Sequence, residues 1–175
     1  DLETKDPQLK TMGSGSVTGR GRIVGIALAV KDWSGYFPIA HEGGGNMDEK
    51  IVMNYFRTIL NYPSTKIFHN AMYDVCFIRA AGLKINGTIV DTMIAGSLVD
   101  ENRFRYDLGS MGRDYLGRGK NEAVLNETAA LWGVDPKSEM YKLPAMYVGE
   151  YAERDAEMTL ELWQNMKQEI QHQDI

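Results

Sequence analysis

The stretch that most constrains the fold is the segment from Val148 to Gln171, late in the chain. Apolar residues recur there at three- and four-residue steps, a spacing that predicts a long amphipathic helix. Tyr151 and Asp155 fall inside the apolar stripe, and because they are four positions apart they share one helix face. A carboxylate that points toward a core is costly unless a cation meets it. The segment therefore predicts a charged partner for Asp155 elsewhere in the chain.

Length and composition limit the classes of protein. The 175 residues, 43% of them hydrophobic and 25% charged, predict a single domain over residues 1–175. No apolar run is long enough to span a membrane and no secretory signal is recognisable, so we expect a cytoplasmic protein. The single Cys76 excludes an internal disulfide and a multi-cysteine zinc site. The net charge of −5 argues against a strongly basic nucleic-acid binder but not against a nuclease that binds cations.

Strand and helix signals alternate early in the chain, and helical signals dominate late. Apolar runs predict a hairpin over residues 22–30 and 33–40, a short buried strand at 66–69 and a strand at 84–90. Helical periodicity predicts helices over residues 48–60, 71–81, 92–98, 107–116 and 122–132, followed by the final helix. Residues 5–22, rich in Gly, Ser and Thr, predict a loop. This order indicates an α/β domain with a mixed sheet, flanking helices and a helical C-terminal part.

Two further pairs of polar residues stand where these elements begin. Asp1 and Glu3 are two apart, so on a strand they would project from one face. Asn70 and Asp74 lie one helical turn apart, where the strand at 66–69 turns into a helix. Open α/β sheets bind ligands at such strand-to-helix turns. If the final helix brings Asp155 over the same place, four carboxylates converge, and their repulsion is tolerable only with hard cations between them.

The residue types also favour particular metals. Oxygen ligands without a cysteine or histidine pair select Mg²⁺ or Mn²⁺ over zinc or copper. Two such ions about 4 Å apart can activate a water molecule and stabilise the leaving oxygen in phosphodiester hydrolysis.

Three segments together resemble the exonuclease motifs of the DEDD superfamily, tyrosine branch. They are Asp1-Leu2-Glu3-Thr4, His69-Asn70-Ala71-Met72-Tyr73-Asp74 and Tyr151-Ala152-Glu153-Arg154-Asp155. The chain is similar, nearly end to end, to the 3′–5′ proofreading exonuclease domains of family A DNA polymerases, in particular those of phages. The resemblance implies a ribonuclease H-like fold with a five-stranded mixed sheet.

The resemblance also implies roles for individual residues. Asp1, Glu3 and Asp155 would hold the cation that activates water, and Asp1 would bridge to a second cation. Asp74 would act on that second ion largely through water, and Tyr151 would orient the attacking water. The substrate-binding residues implied by the motifs are Leu2, Thr4 and Asn70.

The expected activity is release of nucleoside 5′-monophosphates from the 3′ end of single-stranded DNA, with two Mg²⁺ or Mn²⁺ ions. The expected partners are that DNA end and a polymerase domain, with a monomeric protein and no membrane. The family has an apolar strand before its first aspartate and a polymerase module after this domain, and neither is in this sequence. We therefore expect either a domain excised from a longer polymerase or a separate exonuclease. If Asp1 is the true terminus, its α-ammonium would compete with the cation.

Alternatives stay open at this point. The same motifs fit an RNA-trimming exonuclease, and a catalytically inactive nucleic-acid-binding or polymerase-docking module is a third hypothesis. The one basic concentration is either a solvated surface or a contact with the DNA backbone; it comprises Arg103, Arg105, Arg113, Arg118 and Lys120. Outside the motifs, Asp91 predicts a cap for the helix that begins at Thr92, Asn70 predicts a cap as well as a ligand contact, and His69 predicts a packed or hydrogen-bonded residue.

Overall fold

The fold is a mixed α/β arrangement, seen in a computed structural model that describes residues 1–174. The strands are β1 (Leu2–Lys5), β2 (Arg22–Val30), β3 (Trp33–Pro38), β4 (Lys66–Phe68) and β5 (Ile89–Asp91). The helices are α1 (Leu9–Met12), α2 (Gly15–Thr18), α3 (Glu49–Asn61), α4 (Ala71–Ala80), α5 (Thr92–Val99), α6 (Leu108–Leu116), α7 (Ala123–Trp132) and α8 (Gly149–Gln173). Two 3₁₀ turns, Met140–Lys142 and Ala145–Tyr147, precede α8.

The strands form two sheets rather than the single five-stranded sheet expected from the sequence. One sheet is antiparallel with the order β1-β2-β3, and the other pairs β4 with β5 in parallel. Pairing along the β1 side of β2 ends at Asp1, whose backbone exchanges two hydrogen bonds with Ala27. Beyond that pair a cleft of about 560 Å³ lies between β2 and β4, so no ladder joins the two sheets.

Helix α8 packs against both sheets and fixes where they lie. It contacts β2 and β3 of the antiparallel sheet, and it also contacts β4 of the parallel pair. Its buried side chains follow the predicted helical periodicity; they are Ala152, Asp155, Ala156, Met158, Thr159, Leu162 and Met166. The prediction of a long late helix with a carboxylate on its inner face is confirmed.

Two of the hydrophobic clusters join strands and helices to one another. The first joins β1, β2, α3, β4 and α4, and its largest fully buried members are Ile26, Leu60 and Ile78. The second joins α5, α6 and α8 through Met111, Met158, Leu162 and Met166. Burying one such side chain stabilises the folded state by about 2 kcal/mol, so these two clusters fix the strands and helices that carry the polar residues of interest.

The chain between β1 and β2 is more ordered than the predicted loop. Residues 5–22 contain the short helices α1 and α2. The carboxylate of Asp6 accepts hydrogen bonds from the backbone N–H of Gly15 at 3.0 and 3.1 Å, and Ser14 caps α2. Gly15 passes so close to Gly21 that a Cβ on Gly15 would lie 2.6 Å from the Gly21 backbone. Glycine is therefore required there by contact rather than by flexibility.

The strand predicted at 84–90 is shorter in the structure. Only Ile89–Asp91 pairs with β4, because the preceding backbone bonds elsewhere. The N–H of Leu83 donates to Ile78, the N–H of Asn86 donates to Leu60, and Gly87 has a φ of 82° that breaks an extended run. No helix among residues 1–174 is both long and apolar enough to cross a membrane.

Candidate active site

Helix α8 contributes Tyr151 and Asp155 to the candidate site. Asp155 is only 4% exposed, and Tyr151 one turn before it is half-buried. The Asp155 carboxylate faces away from bulk solvent, so burial raises its pKa, while the nearby Lys120 ammonium and the Tyr151 hydroxyl oppose that rise. Asp155 therefore lies on the inner face of α8, as its position in the apolar stripe predicts.

Strand β1 contributes Glu3. It lies opposite Gly25 of β2, and the register shifts between Glu3 and Thr4, which marks a β-bulge or similar irregularity. Because successive strand residues point to opposite faces, Leu2 enters the core while Glu3 faces the candidate site. Burial raises the pKa of Glu3 to about 8, and the Asp155 and Asp74 carboxylates add to that rise.

Helix α4 contributes Asp74 from its first turn. Asp74 is 4% exposed, and burial raises its pKa to about 6. The α-ammonium of Asp1 and the backbone N–H of Leu2 act in the opposite direction on this carboxyl group. The same α-ammonium lowers the pKa of Glu3, so Asp1 lies beside both acids, although its N–H donates to the Ala27 carbonyl at 3.1 Å.

The entry into α4 is fixed by Asp91 rather than by the side chain of Asn70. Asn70 occupies the cap position with a φ of 62°, a left-handed conformation that asparagine tolerates better than most residues. Its side chain makes no capping bond; instead the Asp91 carboxylate accepts from the N–H groups of Asn70 and Ala71 at 3.0 and 2.8 Å. Asp91 also caps α5 through the N–H of Met93 at 2.9 Å, as predicted.

The acids of the candidate site keep unused hydrogen-bonding capacity. Oδ2 of Asp74 and Oδ1 of Asp155 are buried and have no hydrogen-bond partner. Bare, buried carboxylate oxygens on two acids that both raise the pKa of Glu3 fit a site for hard cations, because a cation would supply the missing partner. Within residues 1–174, however, no three carboxylate, imidazole or thiol groups are grouped closely enough to hold a metal ion as they stand. The acids would have to draw closer around a cation.

Lys120 is the residue of this site that the sequence reasoning did not single out. It lies in the connection between α6 and α7, and its Nζ donates to Oδ2 of Asp155 and, at 3.0 Å, to the hydroxyl oxygen of Tyr151. The ammonium also lies 5.0 Å from the centre of the Tyr151 ring. The sequence indicates that a buried Asp155 needs a cationic partner. It does not indicate which of the five basic residues from 103 to 120 is that partner.

The three predicted substrate-binding residues lie in different environments. Leu2 is 7% exposed and packs in the core, which leaves it little surface for a ligand. The hydroxyl of Thr4 is 2.8 Å from the hydroxyl of Tyr73, which donates to Asp6. Asn70 is exposed at the start of α4. Of the three, only Asn70 has an exposed polar side chain that is free of intramolecular capping bonds.

His69 is held by hydrogen bonding, as predicted. Its Nδ1 is 2.9 Å from the Thr92 hydroxyl, which donates to the Phe68 carbonyl. Burial lowers the pKa of His69, which favours the neutral ring.

Comparison with known proteins shows which family this chain belongs to. The family model of the DNA polymerase A 3′–5′ exonuclease matches residues 10–171. The DNA-directed DNA polymerase of Pseudomonas phage M6 is 35% identical over 182 residues, which cover all of this chain and 27% of that protein. DNA polymerase I of Pseudomonas aeruginosa is 27% identical over 161 residues, covering 87% of this chain and 17% of that protein. The chain thus spans about a quarter or less of these curated relatives.

Solved structures share the fold. A nuclease in its apo form superposes with a TM-score of 0.69 at 19% identity, covering 99% of this chain and 72% of that one. The POL domain of Pol1 from M. smegmatis, in complex with a DNA primer-template and dNTP, gives a TM-score of 0.62 at 18% identity, covering 88% and 22%. At these identities the likeness concerns the fold alone. From the family match over residues 10–171 and the polymerase relatives, the chain belongs to the DNA polymerase A 3′–5′ exonuclease family and is an enzyme of that class.

Proposed function

We propose that this domain removes nucleotides from the 3′ end of single-stranded DNA by hydrolysis with two divalent cations, releasing nucleoside 5′-monophosphates. The observation that carries the proposal is the pair of buried, unpartnered oxygens on Asp74 and Asp155, from two distant parts of the chain. Carboxylates left bare in this way are destabilising unless the site takes up positive charge during its function. A nuclease acting on phosphates with Mg²⁺ or Mn²⁺ supplies that charge.

Each acid has a proposed role. Asp1, Glu3 and Asp155 would hold one cation, and Asp1 together with Asp74 would hold the second. When bound, such cations lower the pKa of a water molecule and neutralise charge on the phosphate and the leaving oxygen. The chain's own contribution is to hold these carboxyl groups in a shielded place and to direct them from β1, α4 and α8 toward one point. The proposal includes a ribonuclease H-like arrangement of those elements.

Tyr151 is proposed to orient the attacking water. Its pKa is raised by burial and by the Asp155 and Glu3 carboxylates, so the phenol keeps its proton and acts as a hydrogen-bonding group rather than as a base. Since the Tyr151 oxygen accepts from Lys120, its own hydrogen is left for an acceptor on the Asp155 side, where the hydroxyl already lowers the pKa of that carboxyl group. A water molecule beside Asp155 is the partner that the proposal requires.

An exposed loop of the domain carries side chains that suit a single strand. Phe104 is fully exposed and stands between Arg103 and Arg105 in the loop that precedes α6. An aromatic ring flanked by guanidinium groups offers a base a stacking surface and its phosphate a cation, without sequence preference. Arg103 is already paired with Asp114 at 2.6 Å, which leaves Arg105 as the exposed cation of this loop.

The domain is also proposed to proofread for a polymerase. The relatives of this chain are polymerases of which it spans about a quarter or less, so its natural neighbour would be a polymerase module that delivers a mispaired 3′ end. In this proposal residues 1–175 act as one exonuclease domain that binds a frayed end in its single-stranded form.

Digestion of end-labelled oligonucleotides tests the activity. A 5′-labelled single-stranded DNA should yield a ladder shortened from its 3′ end in Mg²⁺ or Mn²⁺ and no products in EDTA, with 5′-monophosphates found by chromatography. An RNA strand of the same sequence is the matched substrate. Faster digestion of RNA would replace DNA by RNA as the substrate. Calorimetric Mn²⁺ binding without digestion of either strand would indicate the inactive docking module instead.

A further inference from the structure

The side chain of Lys120 stands between the two functional groups of α8. Its ammonium donates to the carboxylate of Asp155 and to the hydroxyl of Tyr151, and its side chain is 22% exposed whereas that of Asp155 is 6% exposed. The stem runs beside Gly109 of α6, where a Cβ would lie 3.7 Å from Cγ of Lys120. This lysine is therefore held at the site rather than extended into solvent.

The connection that carries Lys120 is itself anchored. Gly117 ends α6 with a φ of 68°, which turns the chain back toward α8. The backbone N–H of Arg118 donates to the Gly112 carbonyl at 3.3 Å, and its guanidinium pairs with Glu161 of α8 at 2.6 Å. Two residues later the chain delivers Lys120 to the acids, so its placement follows from contacts independent of Asp155.

The ion pair leaves one oxygen of the Asp155 carboxylate without a hydrogen-bond partner. Lys120 bonds Oδ2 of Asp155, whereas Oδ1 is buried without a partner. In a more exposed pair of the same molecule, Lys142 with Glu139 at 2.5 Å, the side-chain exposures are 39% and 34%, and the other oxygen of Glu139 accepts from the N–H of Asp135 at 2.9 Å. A buried carboxylate with one bare oxygen can still accept a second, stronger cation.

The charge of Lys120 reaches beyond Asp155. It lowers the pKa of Glu3 as well as that of Asp155, although these acids stand on β1 and α8. Within the described residues, it is the side-chain cation that acts on both. A divalent ion placed at Asp155 would also lower the pKa of both acids, and it carries twice the charge of the ammonium. The ion and the ammonium would repel each other if both were bound to the Asp155 carboxylate.

We propose that Lys120 is a positioning residue of the exonuclease site: its ammonium holds the hydroxyl of Tyr151 and yields the Asp155 carboxylate to a divalent cation. The proposal rests on the proposed cation-dependent hydrolysis. Before the cation binds, Lys120 neutralises the acids and keeps them close. After binding, it keeps its bond to the Tyr151 oxygen, so the hydroxyl hydrogen of Tyr151 stays directed toward the water.

The test replaces Lys120 by Met, which keeps the length and removes the charge. The matched control is Lys142→Met, since Lys142 also pairs with a carboxylate and also lies over a tyrosine ring, at 5.9 Å from the centre of Tyr141. Titration calorimetry with MnCl₂ should show that Lys120→Met binds about tenfold more tightly than the parent, because a competing cation is gone. Lys142→Met should bind as the parent does.

Kinetics on single-stranded DNA complete the test. Lys120→Met should lower kcat about tenfold with KM within about twofold, because Tyr151 loses its donor while the DNA contacts are kept. Lys120→Arg, which keeps a charged donor, should recover most of the lost kcat. Circular dichroism checks folding, and Lys120→Gln serves as the uncharged variant if the Met variant does not fold.

The outcomes separate this inference from the proposed function. A parent protein that neither binds Mn²⁺ nor digests DNA overturns both. A parent that does both, with Lys120→Met equal to it in Mn²⁺ affinity and kcat, overturns this inference alone, as does a loss of Mn²⁺ affinity in that variant. A variant that only unfolds at lower temperature, with affinity and kcat unchanged, assigns Lys120 a merely structural role and also overturns it.

Discussion

The carboxylates of the candidate site and those of the turn that follows α7 experience opposite surroundings. In the turn, Asp135 accepts hydrogen bonds from the N–H groups of Lys137 and Ser138 at 3.0 and 2.7 Å, and Glu139 pairs with Lys142 at 2.5 Å. The hydrogen bonds from Ser138 lower the pKa of Asp135, and the bond from Lys142 lowers that of Glu139. At the site, burial instead raises the pKa of Glu3 to about 8 and that of Asp74 to about 6.

This contrast shows how one residue type serves two purposes. The acids of the turn are satisfied by their own loop, and they stabilise its shape without needing any other group. The acids of the site come from elements distant in sequence, and two of their oxygens are left bare. The fold thus completes the acids of the turn and leaves those of the candidate site incomplete, as we expect of groups that await a ligand.

The largest expected effect is on exonuclease activity, and it should distinguish the acids of the candidate site from those of the turn after α7. Asp74→Asn should reduce exonuclease activity by at least about a thousandfold, because a neutral amide holds a divalent cation poorly. The melting temperature should stay equal or rise, since an ionised buried group is removed. Asp135→Asn is the control and should keep the parent rate. A labelled-oligonucleotide assay in Mg²⁺ checks both, and a parent-like rate for Asp74→Asn would remove Asp74 from the site.

A smaller effect is expected for the tyrosine of the site. Tyr151→Phe should lower kcat about tenfold and leave Mn²⁺ affinity within about twofold, because the hydroxyl orients water but is not a cation ligand. Tyr141→Phe is the matched control: its ring lies 4.9 Å from the ammonium of Lys5, but it belongs to the first 3₁₀ turn. Equal kcat values for Tyr151→Phe and the parent would contradict the water-orienting role.

The smallest expected effect is on the stability of the fold. The acids of the candidate site and those of the turn should change that stability with pH in opposite directions. Between about pH 4.5 and 8, Glu3 and Asp74 bind more protons in the folded protein than in the unfolded chain, because their pKa values are raised. The lowered pKa values of His41 and His69 act in the opposite direction only near and below their ordinary pKa of 6.5. Without metal, the melting temperature should therefore rise by several degrees as the pH falls from 8.5 to 5.5. The stabilisation from Asp135 and Glu139 is present above their unfolded pKa and is lost only in more acidic solution.

Thermal unfolding in EDTA, followed by circular dichroism, measures this dependence. Glu3→Gln should flatten the slope between pH 5.5 and 8.5, since it removes the group with the larger rise in pKa. Excess Mn²⁺ should stabilise the protein most at the alkaline end, where the acids are ionised. A metal-free melting temperature that is higher at pH 8.5 than at pH 5.5 would contradict the burial of ionised acids.

Local signals in the sequence predict most of the helices. Asp48 accepts from the N–H of Ile51 and starts α3, as its position before an apolar stripe predicts. Asp107 likewise caps α6 through Ser110, and α8 follows its apolar periodicity. These elements are predictable because caps and periodicity act within a few residues.

The arrangement of sheets and the role of Lys120 are not predictable in that way. The split between β2 and β4 depends on which backbone edges meet across a cleft, a property of distant segments. Lys120 reaches Asp155 across 35 positions, through a connection whose path is set by Gly117 and by the Arg118–Glu161 pair. Sequence identifies the acid that needs a cation, but it does not say which of several basic side chains arrives.

The gap between the two sheets has a mechanical consequence for the acids. Glu3 belongs to the antiparallel sheet, whereas Asp74 lies on α4 between the two strands of the parallel pair, and no backbone ladder connects the two sheets within residues 1–174. Their spacing is set instead by α8, which packs on both sheets, by the first hydrophobic cluster, and by the hydrogen bonds of Tyr73 with Thr4 and Asp6. Side chains can rotate and adjust where a backbone ladder cannot. We therefore expect the distance between the acids to shorten when a cation arrives.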